Sequence, residues 1–386
     1  RKNNDTINMN KGRIYFNQSP KPTIGVEAEL FTINKDTYEL CPGAPLILKE
    51  FPESSNVKEE LLECIIEVNT DICKDISAVR SDLTSRIFEV QQESEKHNMA
   101  LISMGTHPFA HWKDQSITQS SRYINFLERM QWPVRRLIIS GLHVHIGVES
   151  GEKAIAITNG MTRYIPLLIG LSANSPYFGS ELTGLASTRT KIFEGLPTAG
   201  LPPFLKNYSE FQKFMRTLQK ANSIQSIREV WWDIRPHPGF GTVEVRVCDA
   251  VPSIEEMVNL AALVQCLVVG LSNLYDDGAQ LAILDPWVIQ ENKWRATRYG
   301  IDADIIVDEG GSLQSLKGAI LETIDKILPI AEDLGCRHEL IQLGDIVENN
   351  QAPYQRQIMQ YQKNEEYSDI ISSVINDLEK GMIPVI

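Results

Sequence analysis

Apolar and polar side chains alternate along four short segments of the chain, and this alternation predicts four β-strands. The segments cover residues 25–30, 63–69, 141–147 and 241–248. Because successive side chains of a strand point to opposite faces of a sheet, each segment places Val, Ile or Leu on one face and mainly Glu, His or Arg on the other. An ordinary solvent-exposed sheet would mix Lys, Thr, Ser and Glu on its polar face. The restricted set found here favours a functional surface.

The remaining periodicity predicts strands interleaved with helices before about residue 250, and helices alone after it. The first strand is expected to extend over 23–33, with another over 99–104 and a hairpin over 231–247 around the turn Pro236-His237-Pro238-Gly239. Apolar spacing predicts helices over 75–97, 119–136, 153–171, 211–220, 253–276, 285–299, 312–335, 351–362 and 367–380. Strands with one polar face favour an antiparallel sheet backed by helices, so the predicted fold class is α+β.

One long segment, residues 173–204, shows neither periodicity. It is rich in Pro, Gly, Ser and Thr, and it carries Arg189 and Lys191 near its middle. A loop of this length inside a compact domain is usually a lid or a binding loop. The alternative is a mobile surface excursion without a role.

Composition narrows the classes of partner. The 386 residues include 37 Lys plus Arg against 50 Asp plus Glu, a net charge of -13. That balance argues against nucleic acid and anionic membranes as partners and fits small-molecule substrates. The six cysteines have no CxxC spacing, the N-terminal residues lack an apolar leader pattern, and no run of 18 apolar residues occurs. A reducing, cytoplasmic location is expected.

The polar positions of the predicted strands suggest a metal site. Three pairs, each two residues apart, share a strand face: Glu27 with Glu29, His143 with His145, and Glu244 with Arg246. Each pair alone also fits a half-exposed strand. If the strands pair in one sheet, however, several carboxylates lie close together and their repulsion requires cations. Many oxygen donors with only two imidazoles favour Mg²⁺ or Mn²⁺ over zinc.

For a further group of acidic residues the sequence does not decide between a strand and a helix. Glu63 and Glu67 share the parity of a strand, but Glu60, Glu63 and Glu67 also fit helical spacing. They would add oxygen ligands to the same surface in either case.

Phosphate-binding loops are absent from the sequence. Residues 147–153 lack the Gly-x4-Gly-Lys-Ser/Thr spacing of a P-loop, and no GxGxxG motif follows a strand. If a nucleotide binds, metals and arginines must hold its phosphates. Arg189, Arg235 and Arg246 are the candidates, because a planar guanidinium matches phosphate oxygens.

At this point the motifs resemble a known family, the type 2 glutamate–cysteine ligases, and within it the YbdK-like carboxylate–amine ligases. The matching segments run in order over about residues 23–300. They are Gly25-Val26-Glu27-Ala28-Glu29, Glu67-Val68-Asn69-Thr70-Asp71, Gly105-Thr106-His107-Pro108-Phe109, Gly141-Leu142-His143-Val144-His145, Leu171-Ser172-Ala173-Asn174-Ser175-Pro176, Ala186-Ser187-Thr188-Arg189, Trp232-Asp233-Ile234-Arg235-Pro236, Gly241-Thr242-Val243-Glu244-Val245-Arg246 and Arg298-Tyr299-Gly300.

The resemblance implies a glutamine-synthetase-like catalytic fold, in which a curved antiparallel sheet backed by helices forms a funnel for ATP and Mg²⁺ or Mn²⁺. It implies an irregular segment over 1–22, a catalytic domain over 23–300 and a helical C-terminal extension over 301–386 packed on the same domain. The oligomeric state is left open, with a homo-oligomer as one alternative.

The resemblance also implies an activity and residue roles. The reaction would be ATP-dependent activation of a carboxylate, typically the γ-carboxylate of glutamate, as an acyl phosphate that then joins an amine such as cysteine. Metal ligation would fall to Glu27, Glu29, Glu60, Glu67, His143 and Glu244. Catalytic cations would be Arg246, Arg235 and Arg189, and nucleotide contacts would be Arg246, Arg189 and Trp232.

Two alternatives remain at this point. One is a metal-dependent hydrolase that uses the same carboxylates to activate water on an amide or a phosphoester. The other is a catalytically silent metal-binding or nucleotide-binding protein. The presence of all three arginines favours the ligase.

Overall fold

The computed structural model describes residues 13–382 and shows an α+β fold built on one antiparallel sheet of seven strands. The strand order is β2-β3-β1-β5-β9-β8, and β4 pairs with the far end of β1. The strands are β1 Ile24–Asn34, β2 Val57–Glu59, β3 Ile65–Asn69, β4 Met99–Ile102, β5 Gly141–Gly147, β6 Tyr177–Phe178, β7 Glu181–Leu182, β8 Ile234–His237, β9 Thr242–Asp249, β10 Asp304–Ile306 and β11 Leu313–Ser315. The four segments of alternating polarity all contribute strands to this sheet.

Register places the polar side chains of these strands beside one another. Glu29 of β1 lies opposite Glu67 of β3, and Glu27 lies opposite His143 of β5. His145 in turn lies opposite Glu244 of β9. Because neighbouring strands share the direction of their pleats, these side chains project from one face of the sheet. The apolar side chains project from the other face into the main core.

The helices cover that apolar face and both ends of the sheet. They are α1 Ala44–Ile47, α2 Ile76–Glu95, α3 Ser121–Met130, α4 Trp132–Arg135, α5 Gly151–Met161, α6 Ile165–Ser172, α7 Thr188–Phe193, α8 Tyr208–Lys220, α9 Ile254–Asp276, α10 Pro286–Tyr299, α11 Leu316–Leu334, α12 Arg337–Glu348, α13 Pro353–Asn364 and α14 Tyr367–Lys380. Helix α2 begins after Asp75, whose side chain accepts a hydrogen bond from the backbone N–H of Ala78.

Two predicted helices are each divided in the structure. The helix expected over 119–136 is α3 followed by α4, and Gln131 between them has a φ of 54°. The helix expected over 153–171 is α5 and α6, joined by a 3₁₀ turn over Thr162–Tyr164. A proline follows each break by one or two residues, at Pro133 and Pro166, and a residue without a backbone N–H cannot continue the helical ladder.

Three further predictions need correction. Strands do occur after residue 250, as the hairpin β10–β11. Helix α12 was not predicted, although Leu340, Leu343 and Val347 form its buried side. Residues 173–204 are not one long loop, because they contain the hairpin β6–β7 and helix α7.

One large apolar core contains side chains of the sheet and of helices both before and after residue 300. Side chains after residue 300, among them Ile301, Leu316 and Leu340, belong to the same buried cluster as Val26 and Val144 of the sheet. Two helical stretches, Gly151–Ser172 and Ile254–Asp276, are long and apolar enough to cross a membrane, but 83% and 72% of their apolar windows are buried inside the molecule. Core helices have the same composition. The proposed division at residue 300 stays a prediction.

Candidate active site

The polar face of the sheet forms one side of a cavity of about 260 Å³. All six predicted metal ligands and all three predicted arginines line it: Glu27, Glu29, Glu60, Glu67, His143, Glu244, Arg189, Arg235 and Arg246. The sheet brings them together from β1, β3, β5, β8 and β9, with Glu60 directly after β2 and Arg189 on α7. Residues 60–67 contain no helix, so the helical alternative for Glu60, Glu63 and Glu67 is wrong. Glu60 and Glu67 line the cavity, and Glu63 does not.

One group of ligands, the first acidic cluster, consists of Glu27, His145 and Glu244. Their ligand atoms all lie within 4.8 Å of one another. His145 Nε2 is 3.4 Å from Glu27 Oε1 and 3.7 Å from Glu244 Oε1, while its Nδ1 lies 2.9 Å from the Thr242 hydroxyl. The hydroxyl holds the ring so that Nε2 points into the cluster. The predicted ligand His143 lies beside it, with Nδ1 3.3 Å from Glu27 Oε2.

A separate group, the second acidic cluster, consists of Glu29, Glu60 and Glu67, whose oxygens also lie within 4.8 Å of one another. Burial raises the pKa of Glu29 to about 7, and the charge of Glu67 adds to this effect. Burial and the charges of Glu67 and Glu29 hold the pKa of Glu60 well above its usual value. Burial and the charge of Glu27 also raise the pKa of Glu67. Three carboxylates this close favour a divalent cation between them.

The first acidic cluster has the opposite electrostatics. Burial alone would raise the pKa of Glu27, but hydrogen bonds from His143 and His145 hold it well below its usual value. Burial likewise opposes ionisation of Glu244, and the charges of Arg235 and Arg246 overcome it. These carboxylates therefore stay ionised inside the protein.

The three arginines differ in how much of each guanidinium is already used. Arg235 donates to both oxygens of Glu244, at 2.6 and 3.2 Å, and to the carbonyls of Ile227 and Val230, both at 2.6 Å. Arg235 therefore fixes the position of the Glu244 carboxylate. Arg246 pairs with Glu244 through Nη1 alone, and its Nε has no hydrogen-bond partner among residues 13–382.

Arg189 enters the cavity from α7. It donates to the carbonyls of Val247 and Arg246, both at 3.3 Å, and its Nη1 lies 3.9 Å from Asp249. Its Nε also lacks a hydrogen-bond partner within the described part of the chain. A Cβ on Gly141 would lie 2.2 Å from this guanidinium, so a larger residue there would displace Arg189 from its present position. Two buried N–H groups, on Arg189 and Arg246, thus have no acceptor among the described residues.

One residue predicted to contact the nucleotide lies away from the cavity. Trp232 does not line the cavity, because it packs in a separate apolar cluster with its ring 4.8 Å from Phe214 and 6.3 Å from Phe211. Its neighbour Trp231 lines the cavity instead. Adjacent side chains in extended backbone point to opposite sides, and the sequence pattern did not show which tryptophan faces inward.

Sequence reasoning also missed Phe240, in the turn between β8 and β9. Its side chain is 46% exposed at the cavity mouth and stacks on His237, with ring centroids 4.1 Å apart and an angle of 12° between planes. His237 is itself buried, which lowers its pKa to about 3 and keeps the ring neutral. Gly241 fixes the turn, with a φ of 70° and no room for a Cβ beside the Asn17 carbonyl.

Comparison with known proteins identifies the family. The model of "Glutamate-cysteine ligase family 2 (GCS2)" matches residues 23–375. The chain belongs to glutamate–cysteine ligase family 2. A relative from Thermobifida fusca, named "Putative glutamate--cysteine ligase 2", is 40% identical over 374 residues, which are 95% of this chain and 94% of the relative. The resemblance read from the motifs is confirmed, and this member of the family is an enzyme of the C–N ligase class.

Solved structures agree on the fold. A glutamate–cysteine ligase from Francisella tularensis, solved in complex with AMP, has a TM-score of 0.72 at 13% identity, covering 95% of this chain and 89% of that one. A bifunctional glutathione synthetase from Pasteurella multocida has a TM-score of 0.68 at 12% identity, covering 94% and 53%. The predicted glutamine-synthetase-like α+β fold is confirmed.

Proposed function

We propose that this family member is an ATP-dependent carboxylate–amine ligase that activates the γ-carboxylate of glutamate and joins it to cysteine or a related amine. The observation that carries the proposal is the pair of acidic clusters facing one cavity, with the unpartnered Nε of Arg246 beside them. Such a site suits transfer of a phosphoryl group, which needs positioning and charge neutralisation more than covalent help.

ATP is the proposed phosphoryl donor, and the AMP complex of the Francisella ligase supports a nucleotide in this fold. We assign its base to the end of the cavity near Phe240, where an exposed ring offers a flat surface for stacking. His145 of the first acidic cluster has its ring 5.5 Å from Phe240. A nucleotide stacked there would direct its phosphates toward the first acidic cluster and Arg246.

The ligand sets fit Mg²⁺ or Mn²⁺. The second acidic cluster offers only carboxylate oxygens, and the first adds one imidazole to two carboxylates. Hard divalent cations prefer such ligands. When bound, the cations would neutralise charge on the phosphates during transfer.

The side chains then divide the work of the reaction. An oxygen of the substrate carboxylate attacks the γ-phosphorus, the bond to ADP breaks, and an acyl phosphate forms. Arg246, which pairs with Glu244, would face the oxygens on which charge develops, while Arg235 holds Glu244 in place. Arg189 would add a second guanidinium from α7. The amine nitrogen next attacks the acyl carbon, phosphate leaves with the bonding electron pair, and the nitrogen releases a proton.

The hydrolase alternative requires water at the reacting carbon of an amide or at the phosphorus of a phosphoester, whereas an acyl phosphate must be kept from water. Apolar side chains of Leu137, Ile139 and Leu196 line the cavity beside the charged residues, which favours the ligase. Small-molecule substrates and a cytoplasmic location belong to this proposal.

The test is an assay of ADP formation with ATP, Mg²⁺, glutamate and an amine. We expect ADP to form only when both the carboxylate and the amine are present, together with a product that has lost one water relative to the two substrates. Glu27→Gln should abolish turnover, and the exposed carboxylate variant Glu53→Gln should not. ADP formation that needs no amine would contradict the proposal.

A further inference from the structure

The cavity has an apolar side that the phosphoryl-transfer chemistry does not use. We call it the apolar wall and define it by Phe126, Leu137, Ile139, Phe193, Leu196 and Trp231. These residues come from α3, from α7 and the segment after it, and from the segments that lead into β5 and β8, and thus from outside the sheet. They belong to the second buried cluster of the molecule.

Residual exposure shows that the edges of these side chains face the cavity. Leu137 and Ile139 keep 7% and 8% of their surface exposed, whereas Ile138 between them is fully buried. Trp231 keeps 8%, and its ring contacts that of Phe126, with centroids 5.0 Å apart. The apolar wall is therefore a preformed surface of three aromatic and three aliphatic side chains.

The apolar wall and Phe240 contact different groups of the site. Tyr123, one turn before Phe126 on α3, donates a hydrogen bond from its hydroxyl to the carbonyl of Glu59, the residue before Glu60 of the second acidic cluster, at 3.4 Å. Phe193 of the wall lies under the guanidinium of Arg189, 5.6 Å from its ring centroid. By contrast, Phe240 contacts His145 of the first acidic cluster. A nucleotide at the Phe240 end leaves the wall to another substrate.

We infer that the amine substrate carries a large apolar or aromatic side chain that packs on the apolar wall. This inference rests on the proposed function and narrows its amine from cysteine to an amino acid of the phenylalanine or leucine class. The carboxylate under activation must lie over the charged strands, near Arg246, so the wall is left to the attacking amine. An apolar setting also favours the neutral, nucleophilic form of that amine and keeps water from the acyl phosphate.

Matched amino acids test the inference, because they differ only in their side chains. ADP release is measured with ATP, Mg²⁺, glutamate and, in turn, alanine, cysteine, leucine and phenylalanine, and each product is identified by mass. We expect kcat/KM for phenylalanine or leucine to exceed that for alanine and cysteine by about 10-fold or more. A higher kcat/KM for cysteine or alanine would overturn the inference while leaving the proposed function intact.

Variants of Phe126 provide the second measurement. Phe126 is only partly buried, so Phe126→Ala should fold. It should lower kcat/KM for the large amine by about 10-fold and leave that for alanine nearly unchanged, with partial rescue in Phe126→Leu. Phe88→Ala removes an exposed aromatic ring from α2 that does not line the cavity, and is the control.

Two results would count against the wall as the amine site. An equal loss for every amine, or a rise confined to the KM for ATP, would assign the wall to the nucleotide and overturn the inference. Absence of ADP release with every carboxylate–amine pair would instead overturn the proposed function, and the inference with it.

Discussion

The two acidic clusters lie on the same sheet, yet they solve the problem of crowded charge in opposite ways. The first acidic cluster has compensating neighbours, because the charges of Arg235 and Arg246 lower the pKa of Glu244 and hydrogen bonds from His143 and His145 lower that of Glu27. The second acidic cluster has three carboxylates whose pKa values are all raised. The first is stable as an ionised network without added metal. The second becomes fully ionised near neutral pH only when a cation joins it.

Position in the sheet explains this difference. Glu244 lies on β9, between β5 with its histidines and β8 with Arg235. Glu67 lies on β3 near the sheet edge, where the nearest cationic side chain across the ladder is Lys58 on the exposed strand β2. Solvent screens an exposed lysine and weakens its effect on a buried carboxylate.

The largest expected effect concerns Arg246, which pairs with Glu244 of the first acidic cluster. Arg246→Lys keeps the charge but loses the planar guanidinium, and arginines that serve phosphoryl transfer contribute about 10³–10⁵ in rate. We expect a loss of about 10³-fold or more in kcat for ADP formation, with the circular dichroism spectrum unchanged. Arg337→Lys, at an exposed position, is the matched control. Near-normal ligation by Arg246→Lys would reduce this residue to a counter-charge for Glu244.

In the metal-free protein, removing a carboxylate from one cluster or from the other should change the free energy of unfolding in opposite directions. Glu244→Gln leaves Arg235 and Arg246 buried without their carboxylate, which should destabilise the fold by about 3 kcal/mol. Glu67→Gln removes one of three crowded charges and should stabilise it by about 1 kcal/mol. The measurement is urea unfolding in EDTA. Shifts of the same sign in both variants would contradict the comparison.

The pH dependence of stability should report the second acidic cluster. The folded-state pKa of Glu29 is about 7, above its value of 4.5 without burial, so the folded protein binds this proton more tightly than the unfolded chain. The stabilisation is complete below pH 4.5 and is lost as pH rises toward 7. In EDTA we expect unfolding free energy to fall over this window by on the order of 1 kcal/mol, and Glu29→Gln should flatten the slope. An unchanged slope in the variant would assign the effect elsewhere.

The smallest expected effect is protection of the segment beside the apolar wall. Asp249 anchors the start of 173–204, because it accepts hydrogen bonds from the Asn174 N–H and from the hydroxyls of Ser175 and Ser187. Cleavage by protease should therefore occur after α7 and slow a few-fold when ATP, Mg²⁺ and glutamate are present. Equal cleavage rates with and without these ligands would contradict the prediction that residues 173–204 act as a lid.

Much of the candidate site was predictable because the signal is local. Alternation with a period of two places Glu27 with Glu29 and Glu244 with Arg246 on single strand faces whatever the rest of the chain does. His145 carried the same signal as His143, yet only His143 was included among the ligands. The structure places His145 Nε2 between the two carboxylates, 3.4 Å from Glu27 and 3.7 Å from Glu244.

The remaining features depend on contacts between distant parts of the chain. The division of 119–136 into two helices had a local sign in Pro133, but the partly buried course of 173–204 depends on Asp249, which lies 62 to 75 residues from its partners Ser187 and Asn174. Trp231 and Trp232 are equivalent by pattern, and only the packing of α8 against Trp232 decides which one faces the cavity. Phe240 carries no pattern, because a single aromatic residue in a turn has no periodicity.

The sequence by itself determined the fold class, the family and the set of charged residues that share the cavity, because side-chain alternation and ordered motifs are properties of neighbouring residues. Only the tertiary structure divided those charges into one cluster neutralised by arginine and histidine and another that lacks such partners. Strand order and register set the distances between charges on different strands, and the strength of an electrostatic interaction depends on those distances and on burial.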